Sequence, residues 1–139
     1  LEKEACKTLG INLINHQLGA STLKSKEVLL ELCKILKTIK GPLLMHCKSG
    51  SDRAGLASVI YLIAVKKINP SVAASQLSIK YLHLRWYITG VLDYMISEYV
   101  NAFEQTGIEF EDWLENDYDR EQLLTTFFNG RGKWSMRRL

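Results

Sequence analysis

Two periods of apolar residues run along this chain. In KEVLLELCKILKTI, residues 26–39, Val28, Leu29, Leu32, Ile35, Leu36 and Ile39 recur every three or four positions. That spacing places them on one face of a helix. Gly41-Pro42 breaks the pattern. AGLASVIYLIAV, residues 54–65, is apolar on nearly every face, which predicts a helix enclosed by other elements. EKEACKTL predicts a short opening helix stopped by Gly10. INLINHQL, residues 11–18, and the short apolar run LLMHC, residues 43–47, predict strands, the second one buried. GASTLKS between the first strand and the first long helix reads as a loop, with Ser25 as a cap.

Asn69-Pro70 marks a helix start, with Asn as cap and Pro in the first helical position. SVAASQLS, GVLDYMISEYVNAF and a short pair around Trp113 and Leu123 predict helices, with Tyr94, Met95 and Tyr99 in or near the core. Strand, helix, strand, loop and helix in the first half predict an α/β fold. Its central, mostly parallel sheet is flanked by helices, and the helical C-terminal half covers one face. The 139 residues make one domain, 1–139, with one core. The chain opens inside a helical pattern without Met, so the expectation is a fragment whose N-terminal strands belong to a longer parent.

Composition narrows the class. No apolar run reaches the roughly 18 residues of a membrane span, and LEKEACKTLG is too polar for a secretory signal. Cys6, Cys33 and Cys47 show neither paired nor metal-ligand spacing. An odd count without a signal predicts reduced thiols and a cytoplasmic protein.

The net charge of +3 hides an asymmetry: residues 1–90 hold 13 Lys/Arg against 5 Asp/Glu, whereas residues 91–130 hold 1 Arg against 10 acids. The first part should therefore attract anions. EFEDWLENDYDRE reads as a solvated helical surface. The tail RGKWSMRRL reads as a frayed end, or as a contact for phosphate or lipid headgroups.

The chemistry concentrates in HCKSGSDRAG, residues 46–55. A predicted strand ends at Cys47 and a predicted helix begins near Arg53. Lys48, Ser49, Gly50 and Ser51 between them let successive backbone N–H groups turn inward as an anion nest. A helix N-terminus adds its positive end, and the Arg53 guanidinium can grip two oxygens of a phosphate at once. The same field favours the Cys47 thiolate over the thiol. A thiolate beneath a bound phosphoryl group is a nucleophile toward phosphorus. The reaction that follows is hydrolysis in two steps through a cysteinyl-phosphate.

His46-Cys47-Lys48-Ser49-Gly50-Ser51-Asp52-Arg53 resembles the HC-x5-R signature of the cysteine-dependent protein tyrosine and dual-specificity phosphatases. It is most similar to a bacterial dual-specificity-like group with a loop of the form HCKAGxDR. The likeness extends over the central helix and the downstream helices, including TGVLDY. It implies that Cys47 is the nucleophile, Arg53 the phosphate clamp and the backbone of Lys48 to Arg53 the cradle. His46 would orient the loop and help lower the thiol pKa. No metal and no cofactor are implied. Expected substrates are phosphotyrosine, phosphoserine or phosphothreonine proteins, or alternatively phosphoinositides or inositol phosphates; no nucleic acid is expected as a partner.

Two residues depart from the family's pattern. Ala54 stands where a Ser or Thr usually helps the thiol leave, so Ser49 or Ser51 would substitute or turnover would slow. No Asp precedes Asp52, whereas the family usually takes its general acid from an upstream Asp. Loss of a general acid typically costs roughly 10²–10⁴ in rate. Asp52 is the foremost substitute, similar to the Asp before the loop Arg of myotubularin-like lipid phosphatases. His16 and Glu27 are the others. The structural reading of Asp52 is a helix cap or a salt-bridge partner of a Lys.

Lys48 is either a ligand for a second phosphate or a rim charge. His83, Arg85 and Trp86 either line the pocket or pack between helices. Cys6 or Cys33 could protect Cys47 as a disulfide, against the simpler reading of a buried helical cysteine. Two alternatives to a phosphatase remain: a rhodanese-like or arsenate-reducing enzyme, and a catalytically idle phosphate-binding module.

Overall fold

The structure, a computed structural model, describes the backbone of residues 1–136 and the side chains of residues 1–130. All side chains of the basic stretch RGKWSMRRL, residues 131–139, therefore lie outside the described residues. Among the described residues seven helices follow one another: α1 (Glu2–Thr8), α2 (Lys26–Thr38), α3 (Asp52–Ala64), α4 (Pro70–Ala73), α5 (Val91–Thr106), α6 (Phe110–Asn116) and α7 (Arg120–Met136). Three short 3-10 turns, at Ala74–Gln76, Ile79–Tyr81 and Ile88–Gly90, bridge α4 and α5.

The expected α/β fold is overturned: no strand occurs among the described residues. The two predicted strands are irregular chain. Leu43 and Met45 still lean on the core while Leu44 is 86% exposed and His46 points outward. This alternation belongs to any extended backbone. A sheet additionally needs a neighbour to complete the ladder of backbone hydrogen bonds, and residues 11–18 do not provide it. That segment turns Ile11 and Ile14 to solvent instead, at 55% and 44% exposure.

Helix packs on helix around α3, which touches α2, α4 and α6, while α5 touches α4, α6 and α7. Eight of the thirteen residues of α3 are buried, so its uniformly apolar pattern reflects a central position. α2 buries one stripe, Leu29, Leu32, Cys33 and Leu36. Gly10, at φ +65°, ends the opening helix, and Asn69 Oδ1 accepts the Ser71 N–H at 2.9 Å at the start of α4; both follow the sequence expectation.

SVAASQLS forms a single α-turn running into a 3-10 turn, and α7 is longer than the short helix expected. Tyr99 lies 4.9 Å from Phe110 and 5.4 Å from Trp113, centroid to centroid, joining α5 to α6. Tyr118 and Arg120 donate to the carbonyls of Lys24 and Leu23, at 2.6 and 2.9 Å, and anchor the loop before α2.

The acidic segment is only partly a solvated face. Glu111 pairs with Lys37, Glu115 with Lys26 at 3.5 Å and Glu109 with Lys67 at 2.5 Å. Phe110, Trp113 and Leu114 of the same segment are buried. Part of the acidic charge is thus neutralised by lysines of the basic half.

Candidate active site

The loop between Cys47 and α3 is shaped by one glycine. Gly50 has φ +76°, a left-handed conformation that costs a residue with a Cβ roughly 1–2 kcal/mol. Ser51 follows in a right-handed conformation, φ −93° and ψ −79°. This left-then-right alternation turns successive N–H groups to the same side. Ser51 stands at the cap position of α3 and is buried, yet its side chain does not cap the helix. Its Oγ lies 3.2 Å from Ser49 Oγ instead.

One N–H at the start of α3, that of Ala54, and two from the loop, those of Ser49 and Gly50, act on the cysteine. Burial alone would push the Cys47 thiol up, but the N–H groups of Ala54, Ser49 and Gly50 and the charge of Arg53 outweigh it. The thiol is therefore held below its ordinary value. Ala54 is the third residue of α3, the position whose N–H a capping side chain usually accepts. Cys47 takes that place, and the helix dipole favours the anion there. The structure thus brings Cys47 together with the backbone of Ser49, Gly50 and Ala54 and with Arg53. Lys48 is exposed at the rim. His46 turns away: its Nε2 lies 2.6 Å from Glu2 Oε1, with both side chains about half exposed.

Asp52 sits in the first turn of α3. Its partner is His83, not a lysine, with Nδ1 2.7 Å from Asp52 Oδ1. Nε2 of the same ring bonds to Asp93 Oδ2 on α5. The His83 side chain has no exposure, and Arg85 Nε approaches the other Asp93 oxygen at 3.7 Å. Burial by itself would lower the His83 pKa, but Asp93 and Asp52 together raise it above its ordinary value. Each ring nitrogen thus faces one of the two carboxyl groups.

Asp52 also lines a shallow cleft of about 200 Å³ with Leu82, Leu84, Tyr87 and Thr89. The two other acid candidates lie elsewhere. His16 is engaged by the Val28 carbonyl at 3.0 Å and by Glu31 at 3.8 Å. Glu27 is fully exposed, and a hydrogen bond from Ser25 lowers its carboxyl pKa.

Of the cluster noted in sequence, His83 is buried within the helices, Arg85 reaches Asp93 and the Leu77 carbonyl, and Trp86 is 50% exposed. Sequence reading did not join His83 to Asp52 and Asp93, because no spacing rule links positions 31 and 10 residues apart across three elements. The signal the sequence carries is a histidine amid the apolar and aromatic residues of YLHLRWY. Cys6, Cys33 and Cys47 are free thiols; Cys33 is fully buried, and burial pushes it up to about 12.

Among the described residues no group of three or more His, Cys, Asp or Glu is placed to hold a metal ion. No helix among them is long and apolar enough to cross a membrane. No family model, curated protein or solved structure matches the chain.

Proposed function

We propose that this chain hydrolyses phosphate monoesters through a cysteinyl-phosphate formed on Cys47. The observation that carries this reading is the convergence of the Ser49, Gly50 and Ala54 N–H groups and the Arg53 charge on one thiol at the start of a helix. Such a cradle fits a tetrahedral dianion, and the lowered thiol pKa fits a nucleophile.

In this reading Sγ attacks phosphorus, Arg53 and the backbone of Lys48, Ser49, Gly50, Ser51 and Asp52 hold the equatorial oxygens, and Asp52 protonates the leaving oxygen. Water then attacks phosphorus, its proton passes to Asp52, and the S–P electron pair returns to Cys47. Ser51, buried and hydrogen-bonded to Ser49, offers a hydroxyl for the role that Ala54 leaves open. Substrates are phosphorylated proteins or phosphoinositides and inositol phosphates; Lys48 at the rim adds positive charge toward either.

The test is incubation with p-nitrophenyl phosphate and acid-stable trapping of the intermediate. Wild-type protein is expected to release phosphate and carry a phosphoryl group on Cys47, and Cys47→Ser to lose both. Arg53→Ala is expected to lose roughly 10²-fold or more in kcat/KM, the scale of removing a transition-state charge clamp. Sulfur transfer, or arsenate reduction without phosphate release, would assign the thiolate to the rhodanese-like or arsenate-reducing alternative. Phosphate binding without a trapped intermediate would leave an idle phosphate-binding module.

A further inference from the structure

The line Asp52–His83–Asp93 runs from the cysteine loop into the space between α3 and α5. Three features set it apart from an ordinary surface ion pair. The imidazole is wholly enclosed while both carboxylates are partly exposed, at 20% for Asp52 and 10% for Asp93. Each ring nitrogen has one carboxylate, so the ring cannot turn over without breaking both bonds. The Asp52 end opens into the cleft bounded by Leu82, Leu84, Tyr87 and Thr89. The groups facing the ring are Asp52 from α3 and Asp93 from α5, with Arg85 beside Asp93.

Resting on the phosphatase reading, we propose that His83, braced by Asp93, is a positioning residue that aims the Asp52 carboxyl at the leaving group. His83 Nδ1–H holds Oδ1, which leaves Oδ2 as the oxygen that carries the transferable proton. When Sγ bonds to phosphorus, the P–O electron pair goes to the leaving oxygen and the proton on Oδ2 follows it. The carboxylate that remains is met at once by the imidazolium. When water attacks the phosphoenzyme, Oδ2 takes back a proton and the S–P pair returns to Sγ. His83 keeps its own protons throughout. The enclosed site strengthens this hydrogen bond relative to one in water, and the fixed geometry removes the cost of orienting the acid during reaction.

The experiment compares a good leaving group, p-nitrophenyl phosphate, with a poor one, phenyl phosphate, in the full chain. The variants are Asp52→Asn, His83→Leu, His83→Asn and Asp93→Asn, each checked for native helicity by circular dichroism. Asp52→Asn is expected to lose roughly 10²–10⁴-fold on phenyl phosphate and far less on p-nitrophenyl phosphate. His83→Leu is expected to show the same selectivity at smaller size. His83→Asn, which retains an N–H donor on the Asp52 side, should recover part of the loss on phenyl phosphate.

A folded His83→Leu that loses equally on both substrates, or on neither, overturns the proposal while a selective Asp52→Asn keeps the phosphatase reading. If His83→Leu does not fold, Asp93→Asn is judged by the same comparison. Wild-type protein that releases no phosphate and yields no phosphorylated Cys47 overturns the phosphatase reading itself, and the proposal with it.

Discussion

Cys47 and Cys33 are the same side chain in opposite environments. One meets N–H groups at the mouth of α3; the other is sealed in the core by α2. Alkylation reports the difference, because only the thiolate reacts. With iodoacetamide, Cys47 is expected to react with a pH inflection below the ordinary thiol value of about 8.5. Cys33 is expected to stay unmodified until the chain unfolds. Peptide mass spectrometry after timed quenching reads both sites, and a Cys47 inflection at or above that ordinary value would show that the loop does not favour an anion. Because the folded value is lowered, the stability Cys47 contributes is present above the unfolded pKa and lost as pH falls through the folded one.

The stretch between α4 and α5 has little regular structure, and close backbone packing holds it. A Cβ on Gly90 would stand 1.9 Å from the Arg85 carbonyl oxygen, whereas one on Gly41 would meet nothing within 4 Å. Neither backbone can step aside at residue 90 without moving the turn that carries His83 and Arg85. Gly90→Ala is therefore expected to lose about 1–3 kcal/mol, and Gly41→Ala to stay within about 0.5 kcal/mol. Urea denaturation midpoints compare the two. Equal, small losses would mean that the turn is free to shift. The same packing explains why SVAASQLS, predicted as one helix, forms a single α-turn and a 3-10 turn. Leu77 is buried against the α3 residue Gly55, whose added Cβ would lie 3.2 Å from Leu77 Cδ2.

At the scale of the molecule, His83 ties α3 to α5 through two carboxylates. Its folded pKa is raised. The stabilisation it supplies is therefore complete below the unfolded value of about 6.5 and fades as pH rises through the folded value. The Tm advantage of wild type over Asp93→Asn is expected to be largest below that unfolded value and to shrink as pH climbs above it. Thermal melts followed by circular dichroism across that interval check the sign. An advantage that grows with pH would mean that the imidazole is neutral in the folded protein.

Residue types and local spacing were enough to place the helix starting at Asn69-Pro70, the apolar face of α2, the central position of α3 and the glycine-containing loop that leads from Cys47 into it. Each is decided by neighbours within one or two turns: a cap, a 3.6-residue stripe, a run of N–H groups around a glycine. That the described residues form no sheet was not legible, because extended segments with alternating burial look alike whether or not a neighbour supplies the backbone ladder. Nor was the fate of the acidic segment, whose glutamates meet lysines more than 40 residues away. The His83 bridge likewise exists only because α3 and α5 bring Asp52 and Asp93 to opposite sides of one ring. Local chemistry travels with the chain, whereas pairings across the fold arise when packing chooses which distant surfaces are forced together and dried.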